Sequence, residues 1–117
     1  MKHIAAGLFV VLGFVLAWSA PGQTSLVERG NEVYQYWCVA CHGRGAGNPG
    51  TVALEALYKG EKPAELEDRT DLTPALTKFF VRNGVSVMPF FRKTEISDAD
   101  LEALAAYLAP DNRKAQR

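Results

Sequence analysis

Two cysteines, two intervening residues and a histidine stand together at Cys38-Val39-Ala40-Cys41-His42. Thiols and imidazole at this spacing are the attachment signature of a c-type haem. Each thiol can add to one vinyl group along an edge of the porphyrin, and two intervening residues let the backbone span the pair. The next side chain then falls under the iron. Other chemistries use the same residue types. A structural zinc site wants four nitrogen or sulfur ligands, a thioredoxin-like pair wants a βαβ setting, and a plain disulfide leaves His42 unexplained. Haem attachment accounts for all three residues at once.

The remaining ligands depend on where the exported chain begins. Met1-Lys2-His3 is a short cationic start, Ile4 to Ala17 is uncharged and apolar, and Ala17-Trp18-Ser19 offers small residues where a signal peptidase reads. This layout predicts a signal peptide over 1–19 and a domain over 20–117, with its core at about 25–110. An uncleaved anchor is the other reading. The apolar run reaches about 21 Å as a helix against a hydrocarbon core of roughly 30 Å, so no stable span is expected after cleavage. The cut carries no cysteine, which excludes a lipid anchor there. Covalent haem attachment beyond the cytoplasmic membrane fits the same compartment, the periplasm.

Export leaves one histidine, His42, and one methionine, Met88. His42 is the expected proximal iron ligand. Its second ring nitrogen needs an acceptor, and the Pro49 carbonyl is the candidate. Met88 is the expected distal ligand, stiffened by Pro89, although a lone methionine often fills a core. Methionine in the sixth position closes the iron to small molecules and raises its reduction potential. The expected product is a one-electron carrier and not an enzyme. The alternative is a haem enzyme or gas sensor with Met88 uncoordinated.

The elements that must hold these residues follow from pattern. The 117 residues are 48% apolar with 13 basic and 13 acidic side chains, enough for one domain and without the basic excess that nucleic acid requires. Leu26, Gly30, Val33, Tyr34 and Trp37 share a stripe, predicting a helix over 26–40. Gly43 to Gly50 reads as a loop and Thr51 to Tyr58 as a short helix. Glu61 to Asp71 reads as a solvated loop or a frayed turn. Thr73-Pro74 opens a helix that Gly84 closes, and Val85 to Thr94 reads as extended loop. Ser97 to Asp100 resembles a capping box. Leu101, Leu104, Ala105 and Leu108 form the buried stripe of the last helix, which Pro110 stops; residues 111–117 read as a polar tail. No segment alternates long enough to demand a sheet, so the fold class is all-α.

These residues resemble the class I c-type cytochromes over most of the exported chain. The resemblance implies three to five helices around one covalent haem c with its iron, the first and last helices crossing. Gly30 and Tyr34 match that family's small and aromatic residues on the first helix, and Leu104 and Tyr107 their partners on the last. Val81-Arg82-Asn83-Gly84, Met88-Pro89, Phe91, Asp98, Leu101, Ala105, Tyr107 and Leu108 further resemble the small cytochrome subunit of p-cresol methylhydroxylase-type flavocytochromes. That likeness implies docking on a flavoprotein subunit holding FAD, with single electrons passed to a downstream acceptor. A freely diffusing shuttle to a terminal oxidase is the other carrier reading.

Several residues have two readings each. Trp37, Leu54, Leu57, Leu76, Phe80, Val85 and Phe90 or Phe91 line a haem crevice or are ordinary core. Arg82 pairs with a haem propionate or complements its helix dipole. Glu61, Glu65, Glu67, Asp68 and Asp71 steer a basic partner or simply face water.

Overall fold

The computed structural model describes residues 25–114. The signal peptide expected at 1–19 lies outside them. Six helices and one 3₁₀ turn follow in order: α1 (Leu26–Trp37), α2 (Val39–His42), α3 (Pro49–Tyr58), the turn Leu66–Asp68, α4 (Pro74–Asn83), α5 (Asp98–Leu108) and α6 (Pro110–Lys114). No strand occurs among the described residues beyond an isolated bridge between Val85 and Met88. The fold is all-α, as the periodicities require.

Helix α1 starts from a full capping box. The Ser25 hydroxyl accepts from the Glu28 N–H at 3.2 Å, and the Glu28 carboxylate accepts from the Ser25 N–H at 2.8 Å. Gly30, Val33 and Tyr34 form its buried face. Leu26, expected on that face, is exposed at the helix's first position. The helix expected over 26–40 is two helices. Cys38 breaks it at φ −113°, and its carbonyl accepts from the Cys41 and His42 N–H groups to start α2.

Helix α5 supplies the other half of the core. Ile96, Leu101, Leu104, Ala105 and Leu108 are buried, with Leu104 at 0% exposure. Each large side chain so buried contributes roughly 1.5–3 kcal/mol of hydrophobic stabilisation. Ser97 caps the helix by accepting from the Asp100 N–H at 3.0 Å. Asp100 does not close the expected capping box. Its carboxylate, one methylene shorter than that of glutamate, instead accepts from Arg29 of α1 at 2.8 Å. Pro110 ends α5 and at once opens α6, because proline suits a first helical position. The tail expected from 111 is therefore helical to Lys114.

Helices α1 and α5 cross at Gly30. A Cβ there would overlap the Ala103 carbonyl oxygen and lie 2.6 Å from Tyr107 Cβ. The Tyr34 and Tyr107 rings pack with centroids 5.6 Å apart beside this contact. Helix α4 begins with Thr73 capping the Leu76 N–H and Pro74 at its first turn, and buries Thr77 and Val81. Gly84, at φ 68°, ends it in a conformation that suits glycine.

Candidate functional site

One helical turn brings the two thiols and the imidazole together. Cys38 precedes α2; Cys41 and His42 lie on it. Both cysteines are free thiols, Cys38 half-buried at the edge of the core and Cys41 exposed. Burial, helped by neighbouring Cys41, pushes the Cys38 thiol up to about 12. Burial also holds the His42 imidazole below its ordinary value, which favours the neutral ring that a metal requires.

Backbone around His42 is tied from two sides. Tyr34 of α1 donates its hydroxyl proton to the His42 carbonyl at 2.7 Å, and buried Thr51 of α3 donates to the Gly43 carbonyl at 2.7 Å. The first turn of α3 lies against the ring itself: a Cβ on Gly50 would sit 2.9 Å from His42 Cε1 and 3.1 Å from Nδ1. Nδ1 is buried without a hydrogen-bond partner in the protein. The Pro49 carbonyl is therefore not its acceptor. Pro49 opens α3, where a carbonyl points along the helix axis toward the residue four ahead.

Met88 sits in a short turn. The Val85 N–H donates to the Met88 carbonyl at 3.1 Å and the Met88 N–H to the Val85 carbonyl at 2.9 Å, with Ser86 between them at φ 52°. The far end of the loop is fastened to α4. The Phe91 N–H donates to the Val81 carbonyl at 2.8 Å, and Arg82 donates to the Phe91 carbonyl and to Asp98, each at 3.0 Å. Arg82 thus holds the loop that carries Met88. Met88 is half-buried against the same core cluster as Trp37, Cys38 and Val39. Trp37 and Phe91 join the two segments edge to face, 5.7 Å between centroids.

The side chains expected to line a haem crevice are unevenly covered. Leu54, Leu76 and Phe80 are half-buried, while Leu57, Val85 and Phe90 remain largely exposed, Leu57 at 68%. Exposed apolar side chains on α3 and the Met88 loop, two free thiols and a partnerless imidazole nitrogen fit a haem held through Cys38, Cys41 and His42. Among the described residues no three His, Cys, Asp or Glu side chains gather into a group that could hold a bare metal ion.

The acidic segment is structural. Arg44 forks onto Asp68, and Glu67 accepts from the Tyr107 hydroxyl. Arg69, only 7% exposed, donates to both oxygens of Asp71 at 2.7 Å and to the Tyr58 hydroxyl at 2.6 Å. Those guanidinium contacts, with Lys62 adding a second cation, hold the Asp71 carboxyl well below the usual range. The solvated loop expected over 61–71 thus wraps a buried arginine. An arginine two residues from an aspartate, with a tyrosine upstream, was the signal for it in the sequence.

Residues 25–108, from the α1 cap to the end of α5, match the family model described as cytochrome c oxidase, cbb3-type, subunit III. The chain belongs to that family. It is a c-type cytochrome domain, a haem electron-transfer protein whose cofactor is a covalently bound haem c with its iron. Members of the cytochrome c family are generally electron carriers and not catalysts. No curated protein matches the chain. No helix among the described residues is long and apolar enough to cross a membrane.

Proposed function

We propose that this cytochrome is a periplasmic carrier of single electrons, with haem attached through Cys38 and Cys41, iron ligated by His42 and Met88, and a flavoprotein dehydrogenase subunit as donor. The observation that supports the reading is a thiol and imidazole turn joined to a loop that carries a methionine. Two free thiols and an imidazole share one turn, and the only methionine beyond the export segment lies on a loop joined to that turn through Trp37 and Phe91. Bound there, the haem iron supplies one-electron chemistry by alternating between its ferric and ferrous forms.

The protein's part is to fix the ligands. The Tyr34 hydroxyl holds the backbone of His42, and Arg82 with Val81 holds the loop of Met88. A thioether ligand favours ferrous iron and keeps the sixth position from oxygen. The cationic, apolar and small-residue layout of 1–19 supports export. The flavoprotein donor is supported by the block from Val81 to Leu108 that resembles alkylphenol flavocytochrome subunits.

A second reading concerns the acceptor. The matched family is described as an oxidase subunit, which favours delivery of the electron to a terminal oxidase. The two readings occupy opposite ends of one electron path. Replacing Met88 with Ala tests the ligand set: the ferric thioether-to-iron charge-transfer band is lost, the potential falls and the ferrous protein takes up CO. Unchanged spectra would remove Met88 from the site. Co-purification tests the donor; a cytochrome that elutes alone, and that no flavoprotein of its host reduces, rules out the subunit reading.

A further inference from the structure

We propose that Gly84 is a positioning residue for Met88: its missing side chain lets the main chain from Met88 to Phe90 fold back onto the end of α4, and that contact sets where the thioether stands. The inference rests on Met88 being the distal iron ligand and concerns how the fold holds that ligand in place.

Two independent constraints meet at this one position. The first is torsional, since φ 68° is a conformation that residues with side chains rarely adopt. The second is spatial. A Cβ there would stand 2.7 Å from the Met88 carbonyl oxygen, 2.9 Å from the Phe90 nitrogen and 3.0 Å from the Pro89 carbonyl carbon. All three are main-chain atoms of the segment that carries the thioether, so none can swing aside as the tip of a flexible side chain does. The Met88 carbonyl also accepts from the Val85 N–H at 3.1 Å, so the crowding falls on a hydrogen bond that closes the turn.

Which side gives way follows from burial and anchoring. Helix α4 buries Thr77 and Val81, and Val81 and Arg82 fasten Phe91 just beyond the loop. Between these anchors Val85, Val87 and Phe90 are largely exposed. A side chain at position 84 therefore displaces the lightly packed span from Val85 to Phe90, and Met88 lies within it.

Holoprotein carrying Gly84→Ala is compared with Gly60→Ala. Gly60 has φ 85°, yet nothing lies within 4 Å of a Cβ built there, so that variant imposes the torsion without the crowding. Both variants are expected to lose stability in denaturant unfolding. In Gly84→Ala alone the apparent CO affinity of the ferrous protein rises about tenfold, because a larger fraction of the iron is open; the ferric thioether-to-iron band weakens and the potential falls with it. Ligand signatures that match in the two variants would overturn the proposal. Should Gly84→Ala not fold, proton NMR of the wild-type ferrous holoprotein decides: a cross-peak between a Gly84 Hα and the Phe90 amide proton is expected, and its absence refutes the contact. Replacing Met88 with Ala separates the two levels. Retention of the thioether band there removes Met88 as ligand and this inference with it; loss of that band, with Gly84→Ala matching Gly60→Ala, removes only the positioning.

Discussion

The α1–α5 crossing and the edge formed by α2, the start of α3 and the Met88 loop are built by opposite means. At the crossing, backbone meets backbone at Gly30, and Ile96 and Leu104 have no exposed surface. At the edge, Val87 is 88% exposed, Cys41 is open and His42 Nδ1 has no protein partner. Dense packing makes the crossing a frame. The edge is made of reactive groups whose placement comes from that frame, through the Tyr34 hydroxyl on the His42 carbonyl.

The contrast predicts where changes act on stability and where they act on the haem. Leu104→Ala removes a fully buried side chain and should cost about 2–5 kcal/mol in denaturant unfolding, while the ligand bands of the folded protein persist. A ligand-band change larger than the stability loss would dissolve the division between frame and edge. Gly30→Ala forces a methyl into the Ala103 carbonyl and should cost about 1–3 kcal/mol by overpacking; a neutral result would show that the crossing can slide. Ser25→Ala breaks the α1 capping box and should cost about 1 kcal/mol, read as a lower thermal midpoint. The smallest effect is electrostatic. Asp71 is held below its ordinary value of 3.8, chiefly by Arg69. The native protein therefore binds fewer protons than the unfolded chain near that pH, and stability falls as pH drops below about 3.8. Asp71→Asn should flatten that acid slope and lower stability at neutral pH.

Much of the frame was legible because its signals are local. Thr73-Pro74 and the α5 stripe each declare themselves within a few residues, and both lie where expected. The pairing of Gly30 with Tyr107 came from family resemblance, since single-helix periodicity does not name a partner. What escaped notice depends on space or on a single torsion. Cys38 breaks the first helix while leaving its apolar period intact. Pro49 and Gly50 read as loop residues, yet proline serves a helix start and glycine a close approach. The Ser25–Glu28 capping box, at the start of the helix expected from Leu26, is a signal that apolar periodicity does not register. Arg69 is buried because Tyr58 and Asp71 fold around it, a fact no charge count contains. The Pro49 carbonyl failed as acceptor for the same reason: chain proximity does not set direction.

The frame's two helices come from opposite ends of the domain, so their crossing closes a loop of most of its length, at an entropy cost that its packing offsets. Once it closes, Cys38 is left with a thiol that burial keeps protonated and therefore sluggish. The Cys38 thiolate is therefore more available in the open polypeptide than in the closed fold.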